Sequence, residues 1–304
     1  MIDKQVLIIG FSGGRTSAFM SLYIWLNKKY TDKYKIIFYY CNTGEEAEET
    51  LQFINECEQR WNLPIVWLEA VINGTKEGTT HKMISFETAK RKGQPFNEML
   101  TKYPIPNKSA PNCTRELKQR PIESYMRFLG IKDYTTALGI RHDERHRMSL
   151  NAERNKVIYP LINDIRVNEK FIRDWWDKQE FDLHLKDYQG NCNICFKKSL
   201  EKQITIMIEM IENNKVEIIK RWIAREEKYS TEKAPRFDLR DNLTYNQKYK
   251  MALAVIAGKK KFKKIKDKHE LRAMQNDLIL EIGLNHGISN EMMKLGFDCY
   301  CKAI

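Results

Sequence analysis

The chain of 304 residues contains no uninterrupted apolar run near the roughly 20 residues that cross a bilayer. Its N-terminus, MIDKQVLIIG, also lacks the basic-then-apolar layout of a secretory signal. Both absences argue against a membrane partner and predict a cytoplasmic protein. Cysteine is scarce and odd in number, with seven over the whole chain. That count, spread over a long chain, favours free thiols, metal ligation or redox chemistry over a disulfide framework. There is no internal repeat and no helical H-x-x-x-H zinc pattern, because His142 and His146, four apart, fall in a predicted loop. Acidic residues are in deficit: 52 Lys and Arg face 40 Asp and Glu, a net charge of +12 that favours polyanionic partners such as nucleotides or nucleic acid. What remains is ordinary for a folded domain, 42% hydrophobic and 11% aromatic.

Short apolar runs at 5–10, 35–41, 64–69 and 134–140 read as strands buried on both faces, because they do not alternate. Helical spacing appears between them, through Phe19, Leu22, Tyr23 and Leu26 and again through Ala47, Leu51, Ile54 and Cys57. Strand and helix in alternation predict an α/β fold with a doubly wound, mostly parallel sheet. Residues 72–112 carry seven Gly and Pro in a polar stretch, the profile of a long mobile loop or lid. Helical patterns follow at 114–129, 168–181, 196–227, 244–258 and 268–284, with a break near Pro235. The chain is therefore divided into a nucleotide-type domain, 1–212, and a basic helical region, 213–304. A lysine run at 259–268 reads as a solvated face or a phosphate-backbone contact. Trp61, Trp67, Trp175, Trp176 and Trp222 read chiefly as packing residues.

The stretch VLIIGFSGGRTSAFM, residues 6–20, places Ser12, Gly13, Gly14, Arg15, Thr16 and Ser17 at a strand-to-helix turn. Such a turn lies at the carboxyl edge of the sheet, where the next helix presents unpaired N–H groups to an anion. Two glycines let the backbone approach phosphate oxygens, and three hydroxyls add donors. The spacing is not G-x-x-x-x-G-K-[ST], since Gly10 to Gly14 is one residue short and Arg15 stands for lysine, and it is not G-x-G-x-x-G.

Ser12, Gly13, Gly14 and Ser17 match the S-G-G-x-x-S loop of ATP pyrophosphatases. The segment CNTGEEAEET at 41–50 resembles the D-T-G-x-x-x-x-E-T segment of the 3′-phosphoadenylyl sulfate (PAPS) reductase family through Thr43, Gly44, Glu49 and Thr50, with Asn42 where that family has aspartate. CTRELKQRP resembles its C-x-x-x-x-K-x-x-P through Cys113, Lys118 and Pro121. GIRHDE resembles its G-x-R-x-x-E through Gly139, Arg141 and Glu144, and CNIC its final C-x-x-C through Cys192 and Cys195. These five blocks occur in order over about residues 6–200. Reductases of the superfamily carry a serine-rich first loop, whereas this chain keeps paired glycines, as the ATP-using sulfur-transfer enzymes do. The lysine and aspartate common within that loop are Arg15 and Thr16 here.

The resemblance implies an adenine nucleotide alpha-hydrolase-like fold that binds ATP with Mg at Ser12–Ser17 and at Asn42, Thr43 and Gly44. It implies adenylation of a substrate with pyrophosphate release and sulfur transfer to a nucleic acid, tRNA or DNA, with a sulfur-donor protein as further partner. Catalytic roles then pass to Lys118, Arg141, Glu144 and Cys113, the cations stabilising phosphoryl oxygens. Cys113, Cys192 and Cys195 are candidate ligands of an iron–sulfur cluster or zinc, or else reduced structural thiols. The rival activities are a sulfonucleotide reductase using Cys299 or Cys301, and a nucleotide-binding module without catalysis.

Overall fold

Apolar runs too short to be buried helices form the centre of the molecule. In the computed structural model, which describes residues 4–74, 78–190, 192–237 and 243–261, β1 (Gln5–Gly10) pairs in parallel with β2 (Tyr34–Asn42), setting Ile8 beside Ile37 and Ile9 beside Phe38. β3 (Ile65–Ile72) adds in parallel to β2, and β4 (Thr79–Ile84) runs back antiparallel along β3. On the other side of β1 lie β5 (Thr135–Ala137) and then β6 (Val157–Ile158), both parallel. The six strands stand in the order β4-β3-β2-β1-β5-β6. After growing from β1 toward β3, the sheet therefore reverses and continues from the opposite side of β1.

The helices of this sheet unit are α1 (Arg15–Leu26), the one-turn α2 (Lys28–Thr31), α3 (Glu48–Trp61) and α4 (Gln94–Lys102). A short α5 (Asn112–Thr114) runs through a π-helical turn, Arg115–Gln119, into α6 (Arg120–Phe128). After a 3₁₀ turn at His142–Arg147 come α7 (Pro160–Asn163) and α8 (Glu169–Trp176). Successive strand residues point to opposite faces, and both faces are covered. Leu7, Ile9 and Phe38 pack with Phe19 and Ile24 of α1, Phe53 and Ile54 of α3 and Trp176 of α8. Ile8, Cys41 and Leu68 pack with Ile122, Tyr125 and Met126 of α6. Burial on two sides is why the strands read as continuous apolar runs.

The chain forms two compact units, the sheet unit with the described residues of 4–102 and 113–193, and a second with 103–112, 194–237 and 243–261. In the second, α9 (Leu200–Glu212), α10 (Val216–Tyr229) and α11 (Tyr245–Lys261) pack on one another. Trp222, Phe237 and Tyr245 form its aromatic centre. The buried Glu226 carboxylate there accepts the backbone N–H groups of Phe237 at 3.1 Å and Tyr245 at 2.6 Å, closing the break around Pro235. Sequence character changes after 212, whereas the compact units divide at 193–194, so α9 packs with the helices that follow it.

Two expectations change. Residues 72–112 are not a structureless lid: they hold β4 and α4. Pairing of Glu69 with Lys82 and Val71 with Thr80 fixes β4, and Phe96, Met99 and Leu100 give α4 a buried face that the surrounding Gly and Pro obscured. The single helical pattern at 196–227 is two helices, broken at 213–215, where Asn214 has φ of 57°. The 268–284 helix, most of the 259–268 lysine run, Cys299 and Cys301 lie outside the described residues. No helix among the described residues is long and apolar enough to cross a membrane.

Candidate nucleotide site at the carboxyl edge of the sheet

Three chain segments leave the carboxyl ends of neighbouring parallel strands: the glycine loop after β1, the turn after β2, and the Arg141 segment after β5. The first and third flank β1 and β5, between which the strand order reverses, and at such a point diverging connections leave a crevice.

The glycine loop is shaped by its own hydroxyls. Ser12 Oγ donates to Ser17 Oγ at 2.9 Å, and Ser17 Oγ donates in turn to the Gly14 carbonyl at 2.9 Å. Gly13 has φ of +77°, and a Cβ there would overlap Thr50 Cγ2 and stand 3.2 Å from Ile54 Cδ1, so α3 presses against the back of the loop. Gly14 differs: it caps α1 with no side-chain hydrogen bond, and a Cβ there would meet only Ser12 Oγ at 3.7 Å. The first turn of α1 thus begins without a side-chain acceptor, beside an exposed Ser12 and partly exposed Gly14 and Thr16.

Arg15 turns elsewhere. Its guanidinium makes a two-point pair with Asp182, at 2.7 Å for each bond, and donates to the Leu183 carbonyl at 2.6 Å. It ties the loop to the segment after α8, and a different cation reaches the loop's hydroxyls: Arg141 Nη1 donates to Thr16 Oγ1 at 3.4 Å. Gly139 lies beside the loop, where a Cβ would make ordinary contact with the Ser17 Cα at 3.5 Å. Arg141 is surrounded by carboxylates: Asp143 at 3.1 Å, Glu169 at 3.4 Å and Glu144 at 3.7 Å. Glu144 is itself held by Arg147 at 2.7 Å. For Asp143 partial burial works against ionisation, but the hydrogen bond and charge of Arg141 outweigh it and hold the carboxyl below its ordinary range.

The turn after β2 is closed. Asn42, fully buried, gives one amide hydrogen to Glu69 Oε1 at 2.7 Å and the other to the Lys90 carbonyl at 2.8 Å, while its Oδ1 accepts Gly44 N–H at 3.1 Å. Thr43 donates from both N, at 3.0 Å, and Oγ1, at 2.8 Å, to Glu46 Oε2. Gly44, with φ of +76°, abuts Gly93, whose N–H donates to its carbonyl at 2.8 Å. Asn42, Thr43 and Gly44 are all buried, so this turn acts as a support.

Glu46 extends that support toward Lys118, whose Nζ lies 3.8 Å from Glu46 Oε1 while the side chain stays 38% exposed. The π-helical turn at 115–119 carries Lys118; such turns insert an extra residue per turn and re-aim side chains. Desolvation disfavours the Lys118 ammonium, but Glu46 and the sulfurs of Cys192, Cys113 and Cys41 more than offset it, so its pKa is raised. Cys192 bridges Glu46 through the backbone, and its Sγ lies 3.7 Å from Thr43 Oγ1. Burial pushes the Cys41 thiol up to about 12 and raises that of Cys57 too. Cys195 belongs to the second unit, where its carbonyl accepts Lys198 N–H at 3.0 Å. Among the described residues no three His, Cys, Asp or Glu side chains gather as a metal would require.

The structure therefore brings Ser12–Ser17, Arg141 and Glu144 together on one side of the edge, and Thr43, Lys118 and Cys192 around Glu46 on the other, with Cys113 near Lys118. Sequence reasoning missed Glu46, Glu69 and Asp182. Glu69 ends the predicted strand 64–69 and Glu46 lies within the quoted 41–50 block, so both were within reach. Asp182 carries no local signal.

No model of a known protein family matches the chain. It is 33% identical over 204 residues to the uncharacterized nin region protein ORF290 of Escherichia phage lambda, a match covering 65% of this chain and 68% of that protein. With the glycine loop and its Arg141 neighbour on a largely parallel sheet, the chain belongs to the family of that nin region protein.

Proposed function

We propose that the protein binds ATP with Mg at the glycine loop, adenylates a substrate with release of pyrophosphate, and serves sulfur transfer to a nucleic acid. The finer fold assignment, an adenine nucleotide alpha-hydrolase-like domain, belongs to the same proposal. One observation carries it: a loop with an open glycine and a helix start without a side-chain cap lies where the strand order reverses. In the proposed reaction a substrate oxygen forms a bond to the α-phosphorus while the bond from that phosphorus to the bridging oxygen breaks, and pyrophosphate leaves with the electron pair. The amides of the first turn of α1 hold phosphate oxygens. Arg141, fixed by Asp143 and Glu144, faces the charge that develops on them, and Lys118 supplies a second cation from the Glu46 side. Glu46 Oε1 accepts no hydrogen bond and meets Lys118 only at 3.8 Å, a loose pairing that leaves the ammonium available to an anion. No step runs through a cluster or zinc. Exposed Lys215, Lys220, Lys228 and Lys250 of the helical unit would meet the polymer's phosphates.

Pyrophosphate release from ATP, measured with and without tRNA or DNA, tests this function. Release stimulated by one of the polymers is expected. Absence of ATP binding by calorimetry together with tight binding of adenylyl sulfate would replace the proposal with a sulfonucleotide reductase. Binding without turnover on any acceptor would replace it with a nucleotide-binding module.

A further inference from the structure

We propose that Glu69, fully buried on β3, is the positioning residue of the nucleotide site: it carries the one negative charge of a cross-strand row, Asn42–Glu69–Lys82, and through Asn42 sets the turn that supports the glycine loop and Lys118. The nucleotide part of this inference rests on the function proposed above; the row itself does not.

Asn42 of β2, Glu69 of β3 and Lys82 of β4 are register partners, so they stand abreast near the carboxyl edge. Glu69 Oε1 accepts Asn42 Nδ2 and the Lys90 backbone N–H, both at 2.7 Å, and Lys82 Nζ stands 3.0 Å from Oε2. A buried carboxylate survives only when paired and hydrogen-bonded, and here the pairing also fixes the amide of Asn42. With Nδ2 committed to Glu69 and to the Lys90 carbonyl, Oδ1 must face Gly44 N–H, which sets the turn. Two supports follow from that turn. Thr43 seizes Glu46 Oε2 and aims Oε1 at Lys118. Beyond it α3 begins, and its Thr50 lies against Gly13.

The aspartate that the resembling family carries at position 42 would here put two buried carboxylates in contact. In this chain the charge stands one strand over, and an amide occupies the place beside it. Asn42→Asp is therefore harmful because of Glu69, and Glu69→Gln should change the sign of its effect with the residue at 42.

The test uses the full-length protein, Glu69→Gln, Asn42→Asp and the double variant, each read by thermal midpoint and by ATP affinity in calorimetry. Glu69→Gln is expected to lower the midpoint and weaken ATP by about tenfold in the native background, yet to raise the midpoint when added to Asn42→Asp, a coupling of the size seen for groups in one network. Should Asn42→Asp not fold, recovery of a folded double variant supports the pair, and an unfolded double beside a folded Glu69→Gln overturns it. Additive losses overturn the shared charge. A native protein that binds ATP beside a Glu69→Gln variant that binds it equally, though less stable, reduces Glu69 to a structural residue and overturns the positioning role. If the native protein binds no ATP, the proposed function fails, and the midpoints still decide the row.

Discussion

The turns after β1 and β2 leave adjacent parallel strands in the same direction and both begin from residues that match motifs, yet they are built on opposite principles. After β2 every polar atom of Asn42 is engaged, Thr43 binds Glu46 twice, and Gly44 is pressed against Gly93. After β1 the hydroxyls of Ser12 and Ser17 shape the loop, but Gly14 has room for a Cβ, with Ser12 Oγ at 3.7 Å, and α1 starts without a side-chain cap. The lesson is that a matched motif residue can serve by contact or by support, and only the partners in the fold distinguish the two. The glycine pair repeats the contrast within one loop: Gly13 is packed against Thr50 and Ile54, whereas Gly14 has room for a side chain.

Substitutions at those glycines should therefore separate stability from binding. Gly13→Ala combines a left-handed φ with overlap on Thr50 and is expected to cost about 3 kcal/mol, read as a lowered urea midpoint. A cost below about 1 kcal/mol would mean that α3 does not back the loop. Gly14→Ala has room within the protein and should lose no more than about 1 kcal/mol of stability. In the proposed site its methyl group would stand where phosphate oxygens approach, so ATP affinity should fall roughly a hundredfold, about 2.7 kcal/mol. Equal affinity would show that the open face is not the binding face.

Thr43→Val reverses the pattern. It removes the hydroxyl that Glu46 accepts, and a loss of about 1 kcal/mol of stability is expected, with a smaller effect on affinity than that of Gly14→Ala. Thiol labelling tests the same closed region by another route. Cys41 and Cys57, buried and held as neutral thiols, should resist iodoacetamide at pH 8, while the partly exposed Cys113, Cys192 and Cys195 react before them; early labelling of Cys41 would show that the turn opens.

The smallest effect concerns Asp143. Its carboxyl ionises below the ordinary value of 3.8 in the folded protein, so its contribution to stability is present above that value and fades as pH falls through the lower, folded one. Asp143→Asn should flatten that acid limb slightly, and an unchanged limb would show that the pairing with Arg141 adds nothing measurable in solution.

Much of this architecture could be read in the residues. The four parallel-sheet runs stood out because burial on both faces leaves no alternation, and the glycine loop because its spacing is local to the chain. Other features depend on partners distant in sequence. Arg15 looks like a phosphate ligand until Asp182 takes its guanidinium, and no local pattern marks residue 182. β4 was hidden because TTHKMI carries little apolar signal: three of its residues are Thr or His, Lys82 pairs with Glu69, and Met83 is exposed. Asn42 was legible as a departure from the family pattern. Its reason was not, since Glu69 comes 27 residues later and becomes its neighbour only through the register of β2 and β3.

The central claim is that the loop after β1 holds a triphosphate, and a crystal of the protein soaked with a non-hydrolysable ATP analogue and Mg tests it most directly. Phosphate oxygens within hydrogen-bond distance of the backbone N–H groups at the start of α1, with the Arg141 guanidinium donating to them, are the expected result. An analogue bound elsewhere while the Gly14 face stays uncontacted would contradict the account.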